Sequence, residues 1–345
     1  MIDGHGDDLY HFDRLPSVNF SSNVYPFADR TGLDEHLRRV LSSVISNYPE
    51  PTPRRLEVRL AEVHGVSPEA VCVTAGSTQA IYLTASAFEG GTAFVAQPTF
   101  SEYADACRMH GHRVVNVYHP WASDGPWAIG EGLFFLCNPN NPTGGVMSRE
   151  EVLRLVDDHP RTIFVVDQSY EAFTLHALPT PRDAEVRDNL ILLHSMTKRY
   201  ALPGLRLGYL TGCPALVEEV RRRRMPWAVN ALAMEAGLYI ADHVSSAKLP
   251  NLSAYLQETS RLRDLLLSTG VVDVWPTDVH FMLCRLRMGR ASALKDHLMR
   301  TYGMLIRDAS NFEGLDAGFF RVATGRPEHN DQLSGAILRW AMNDE

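Results

Sequence analysis

Seven short apolar runs, each closed by a turn or polar residue, constrain this chain more than any other feature of it. They are "AVCVTAG" (70–76), "GTAFVAQP" (91–98), "RVVNVY" (113–118), "GLFFLCNP" (132–139), "TIFVVDQ" (162–168), "LILLHS" (190–195) and "LGYLTG" (207–212). Such short, apolar runs read as strands buried on both faces, the habit of parallel sheets. Helical patterns lie between them. "TQAIYLTASAF" (78–88) has Ser77 or Thr78 as its N-cap, and "SREEVLRLVDDH" (148–159) opens with a capping box of Ser148 and Glu151. Strand and helix in alternation predict an α/β fold with a mostly parallel seven-stranded sheet sandwiched by helices. From about residue 213 the character changes: "PALVEEVRRRRMPW" and "NLSAYLQETSRLRDLLLST" are long helical patterns, and "FMLCRLRM" and "FFRVATG" are strand-like around a helix near 291–302. The expected division is an arm that also contributes to the small domain (1–45), a large domain (46–250) and a smaller α+β C-terminal domain (251–345).

Composition limits the function. With 345 residues, 45% of them hydrophobic and 21% charged, the chain can bury one large core and a second, smaller one. A net charge of -8 leaves no global basic field for nucleic acid or an anionic membrane, so local cationic clusters read as sites or helix faces. The five cysteines are odd in number and have no CxxC spacing, which fits buried thiols in a reducing compartment and argues against a metal site. The first residues, "MIDGHGDDLYHF", lack an apolar targeting core, and no run reaches the ~18 apolar residues of a membrane span. A cytoplasmic protein is expected.

Chemistry-bearing residues collect at the strand C-termini, where open α/β sheets bind ligands. "TAGSTQA" sets Gly76, Ser77 and Thr78 at a strand-to-helix turn, where free backbone amides and the helix dipole suit an anion; a plain capped turn is the competing reading. "CNPNNPTG" (137–144) reads as an ordinary turn when taken alone, and Asp167 of "VVDQSYEAF" (165–173) as a helix cap. Lys198 and Arg206 follow in "HSMTKRYALPGLRLGYL" (194–210). A lysine, a carboxylate, an amide, a tyrosine and an anion cradle on consecutive strand ends leave coincidence a poor explanation.

The set "AGSTQA", "PTFSEY", "NPNNPTG", "VVDQSY" and "SMTKRYALPGLRLG", in this order and spacing, resembles the pyridoxal 5'-phosphate (PLP) enzymes of fold type I, the aspartate aminotransferase superfamily, through essentially the whole chain. Two sister groups are nearest, the histidinol-phosphate aminotransferases and the threonine-phosphate decarboxylases. "NYPEPTPRRL" (47–56) is similar to the first, "RMPWAVNALA" (224–233) and "GLDAGFFRVA" (314–323) are more like the second, and "NFSSNVYP" (19–26) resembles both.

The resemblance implies roles. Lys198 would join covalently to the cofactor aldehyde and move protons at the substrate Cα, and Asp167 would keep the pyridine nitrogen protonated. Asn141 and Tyr170 would hold the ring's phenolic oxygen, and Phe100, ahead of Tyr103, would stack on the ring. Ser77, Thr78, Ser195, Thr197 and Arg206 would hold the phosphate. Tyr48 would reach the neighbouring subunit's phosphate, implying a homodimer with shared sites. At the substrate end, Arg321 would pair with an α-carboxylate and Arg307 with a substrate phosphate, while Asn23, Tyr25 and His5 would close over the substrate. Three features depart from the pattern: Tyr25 is aminotransferase-like, His280 stands where asparagine is commoner, and "HGDD" lacks the second glycine of the decarboxylase element. The run Arg221 to Arg224 reads as a solvated helix face, with Arg224 also able to approach the substrate.

Other classes lack their signatures. A transcription regulator would need a winged-helix module before the arm, and a nucleotide-binding oxidoreductase would need a GxGxxG that "TAGSTQA" does not supply. The expectation is an aminotransferase acting on a small, phosphorylated amino substrate with a 2-oxo acid; the alternative is a decarboxylase of the threonine-phosphate type in cobalamin biosynthesis. Both reactions use the same residues, because the Cα bond held perpendicular to the conjugated plane is the one that breaks.

Overall fold

A computed structural model describes residues 12, 15–118, 127–243 and 249–343. In chain order its strands are β1 (Val18–Asn19), β2 (Val71–Thr74), β3 (Thr92–Ala96), β4 (Arg113–Val117), β5 (Gly132–Cys137), β6 (Thr162–Asp167), β7 (Leu190–Ser195), β8 (Gly208–Thr211), β9 (Val272–Val274), β10 (Phe281–Leu286), β11 (Met304–Leu305), β12 (Arg307–Asp308) and β13 (Phe319–Ala323). The seven apolar runs make one sheet in the order β2-β8-β7-β6-β5-β3-β4. It is parallel except for β8, which runs antiparallel to both neighbours.

The sheet is covered on both faces, as its composition requires. Successive residues point to opposite sides: Phe135 packs with Ile81, Tyr103 and Val217 beneath the helices Ser77–Ala87, Glu102–Met109 and Pro214–Arg221. Its neighbour Phe134 packs on the other face with Val152, Val156 and Phe164. Both rings are fully buried, and each such side chain contributes roughly 1.5–3 kcal/mol. The capping box of Ser148 and Glu151 is present at the helix Arg149–Asp158. The helix after β2 begins at Ser77 with Gly76 as its N-cap and no side-chain cap bond, so Ser77 and Thr78 lie inside the first turn and do not cap it.

A second core surrounds the antiparallel sheet β12-β13-β10-β9 and takes in Leu262, Leu294, Leu298 and Ile337 of the later helices. The arm enters this core. Phe20 is 1% exposed within it, and β1 pairs in parallel with β11 through Val18 and Asn19.

The free side of β2, an edge strand, has its backbone groups satisfied by side chains, as a buried edge requires. Glu57 accepts from the Val73 amide at 3.2 Å, and Arg224 donates to the Val73 carbonyl at 2.7 Å and to Glu57 at 2.6 Å. Arg221 donates to the Val71 carbonyl. The solvated-face reading of residues 221–224 is therefore corrected. Arg222 does sit at the surface with Glu218 and Glu219, but Arg224 turns inward past the helix end, its side chain only 2% exposed. Nor does it approach the cavity described below. All five cysteines are buried and free, and no helix among the described residues is long and apolar enough to cross a membrane.

Candidate active site

The parallel strands β5 and β6 and the adjoining β7 deliver their C-terminal residues to one edge of the large sheet, where a cavity of about 410 Å³ opens. The second core closes its other side, so residues far apart in the sequence line it together: Asn23, Ser77, Asn141, Asp167, Lys198 and Arg321 among them.

At its floor lies Asp167, the last residue of β6 and 3% exposed. Oδ1 accepts from the Ser169 hydroxyl at 2.6 Å and the Ser169 amide at 2.9 Å, and Oδ2 accepts from the Tyr103 hydroxyl at 2.8 Å. Burial pushes this carboxyl above its usual range, and the Ser169 and Tyr103 hydrogen bonds oppose the shift. A buried carboxylate so placed favours a cation in contact with it. Tyr103 is fully buried, its ring parallel to Phe135 at 5.5 Å. Its hydroxyl is spent on Asp167, a positioning contact that the sequence did not show, whereas Phe100 lines the cavity edge-on to Tyr103.

The anion cradle lies beside it. Gly76 has φ 86°, and a Cβ there would stand 2.8 Å from Arg206 Nη2, so the guanidinium packs against the turn that presents the Ser77 and Thr78 amides. Arg206 itself adopts a left-handed backbone, φ 56°, after the Pro203-Gly204 bend, and its Nη1 donates to the Pro203 carbonyl. Ser195 caps the short helix Met196–Arg199 by accepting from the Thr197 amide at 3.3 Å, and that helix projects Lys198 into the cavity. An anion cradle, a buried carboxylate and a lysine lining one cavity fit the phosphate, ring nitrogen and aldehyde of PLP.

The substrate end is built differently. Arg307 on β12 and Arg321 on β13 face each other across an antiparallel pair, and both are buried, at 6% and 3% exposure, and line the cavity. Arg321 donates to the Asn141 side chain and to the Ser21 carbonyl. Arg307 donates to Asn311 Oδ1 at 2.8 Å and lies over the Phe312 ring at 5.4 Å. Asn311 and Phe312 also line the cavity, unannounced by any sequence periodicity, since they belong to a loop.

Asn23 donates from Nδ2 to the Tyr170 hydroxyl at 3.1 Å, and both line the cavity. Tyr25 does not line it: its ring packs on Phe27, Phe173 and Tyr255, and only its amide, donating to the Lys198 carbonyl at 2.9 Å, touches the lysine's segment. Tyr48 is 89% exposed, beside Trp227 and away from this cavity. His5 lies outside the described residues.

Comparison with known proteins completes the description. The family model for aminotransferase class I and II matches residues 16–337. A solved structure of L-threonine-O-3-phosphate decarboxylase from Porphyromonas gingivalis is 39% identical, with a TM-score of 0.90 over 94% of this chain and 99% of that one. Threonine-phosphate decarboxylase of Salmonella typhimurium is 29% identical, covering 93% of this chain and 90% of the relative. Histidinol-phosphate aminotransferase of Desulfitobacterium hafniense is also 29% identical, covering 95% and 93%.

Proposed function

The chain belongs to the aminotransferase class I and II family, PLP-dependent enzymes of fold type I, and on that premise we propose that it decarboxylates a small phosphorylated amino acid of the threonine phosphate kind. The observation that carries this reading is the likeness to the P. gingivalis threonine-phosphate decarboxylase, 39% identical over 94% of this chain. Two guanidinium groups, Arg307 and Arg321, border the same cavity from adjacent strands and match a phosphate and an α-carboxylate. Threonine phosphate carries both on one molecule; transamination would bring the phosphate on histidinol phosphate and the carboxylate on its 2-oxo acid.

PLP, when bound, supplies an aldehyde that captures the substrate amine and a ring that takes up the electron pair left at Cα. The protein does the rest. Asp167, supported by Tyr103 and Ser169, would hold the ring nitrogen's proton. Ser77, Thr78, Ser195, Thr197 and Arg206 would anchor the cofactor phosphate, Phe100 would cover the ring, and Asn141 and Tyr170 would meet its phenolic oxygen. Arg307, oriented by Asn311, binds the substrate phosphate; Arg321, held by Asn141 and Ser21, binds the carboxylate. Two anchors would hold the substrate in one rotation about the bond from nitrogen to Cα, and a rotation that suits loss of the carboxylate would select decarboxylation. Lys198 Nζ, in the same cavity, would supply the proton that replaces the carboxylate at Cα.

We also propose a homodimer of the cytoplasm. The exposed Tyr48, Trp227, Met225 and Ile45 support a subunit contact through which Tyr48 reaches the partner's cofactor phosphate, and five buried free thiols fit a reducing compartment. Transamination remains the second reading because the aminotransferase relatives match as much of the chain at similar identity. Incubation with threonine phosphate alone, and separately with histidinol phosphate plus 2-oxoglutarate, tests the choice. Carbon dioxide from the first with no glutamate from the second is expected; the converse would establish the aminotransferase.

A further inference from the structure

His280 sits where three parts of the molecule meet. It is fully buried just before β10. Its Nε2 lies 3.0 Å from the backbone carbonyl of Asn23 on the arm, its ring stacks on Phe173 at 3.8 Å, and its own carbonyl accepts from the Thr324 amide at 2.7 Å. Tyr255 and Tyr170 pack around the same ring. Burial lowers its pKa to about 3, so the imidazole is neutral at any working pH. A neutral imidazole facing a carbonyl must place its single proton on the facing nitrogen, so Nε2 is the donor.

The chain of contacts continues. Asn23 Nδ2 donates to the Tyr170 hydroxyl at 3.1 Å. A tyrosine hydroxyl has one proton, and an oxygen that accepts from Asn23 keeps that proton for another partner. Tyr170 lines the cavity, as does Asn23, whose Oδ1 is buried with no hydrogen-bond partner among the described residues. Both groups therefore present unspent hydrogen-bonding capacity at the place where a ligand would stand.

We propose that His280 is a positioning residue: by holding the Asn23 carbonyl it fixes the arm so that Asn23 donates to Tyr170, which in turn directs its hydroxyl proton at the phenolic oxygen of the cofactor. This rests on the Tyr170 role given above, and it is independent of whether the reaction is decarboxylation or transamination. The device reaches the cofactor site from the arm and from the second core at once.

The test reads the cofactor and not turnover. In the holoenzyme, the visible absorbance of PLP linked to Lys198 titrates with pH, and a hydrogen bond donated to the phenolic oxygen favours the deprotonated form. Tyr170→Phe should raise the midpoint, by about tenfold in proton concentration for one charge-assisted hydrogen bond. His280→Leu and Asn23→Ala should raise it in the same direction by about threefold, while His280→Gln, whose amide nitrogen can stand where Nε2 stood, should leave it near the wild-type value. In a Tyr170→Phe background, His280→Leu should add nothing. A full shift from His280→Leu on that background, or none on the wild type, would overturn the proposal; should His280→Leu fail to fold, Asn23→Ala cuts the same chain of contacts and decides in its place. An unmoved midpoint in Tyr170→Phe itself would overturn it at the tyrosine, leaving the two-arginine reading of the substrate untouched.

Discussion

The two ends of the cavity are made by different means. At the cofactor end, Asp167 and Ser195 are the last residues of strands in the largely buried central sheet and the cradle is the turn that follows β2, so the backbone places these groups close to where they act. At the substrate end, Arg307 sits on a two-residue strand and Arg321 near the middle of a five-residue one, and their aim depends on the Ser21 carbonyl of the arm and on the Asn141 and Asn311 side chains of two loops. The difference teaches where each kind of specificity resides. On the proposed reading, a cofactor that never changes would be held by strand ends, and a substrate that distinguishes sister enzymes would be read by arginines whose orientation a few neighbours control.

If this contrast is right, damage at the cofactor end should hit every substrate alike. Lys198→Ala should abolish nearly all turnover and the visible absorbance of lysine-linked cofactor, while PLP still binds through the phosphate cradle; survival of that absorbance would show that another lysine carries it. Asp167→Ala comes next. It should retain cofactor, measured by fluorescence or phosphate content, yet slow the reaction by about a thousandfold, in the range of lost electrostatic stabilisation at a reacting centre. Unchanged turnover would mean that the ring nitrogen is partnered elsewhere.

A third perturbation asks how far the rigidity of the cofactor end depends on its edge. Arg224→Ala would leave the buried Glu57 with only the half-exposed Arg54 as its cation, 4.0 Å away, and breaking a buried pair costs up to about 3–5 kcal/mol. The denaturation midpoint should fall accordingly, whereas Arg222→Ala, at the exposed second position of the same run, should change stability by less than about 1 kcal/mol. Equal effects would mean that the edge of the sheet is not held by this pair.

The same contrast governs what could be read from the sequence. The sheet was legible because β5 and β6 are uninterrupted apolar runs, and that Asp167, Ser195 and Lys198 would meet at one cavity was legible from their motifs' resemblance to a known family. Tyr103 was noticed for its ring, but its hydroxyl bond to Asp167 spans 64 positions, and no local pattern encodes that. Arg224 misled for a related reason: a run of four arginines resembles a solvated face until tertiary packing turns the last one under an edge strand. Tyr25 stands two residues from Asn23, yet its ring turns into an aromatic cluster because the arm is not a regular strand there.

The account stands on the claim that the substrate end reads two anions with two arginines, and kcat/KM for Arg307→Ala and Arg321→Ala on paired substrates tests it most directly. One charge-assisted contact is worth about 1.5–3 kcal/mol, or roughly tenfold to a hundredfold. Arg307→Ala should lose that factor on threonine phosphate and almost nothing on an unphosphorylated amino acid, while Arg321→Ala should lose it on any substrate with an α-carboxylate and much less on histidinol phosphate. Equal losses for both variants on every substrate would contradict the claim and assign the two arginines to holding the fold together.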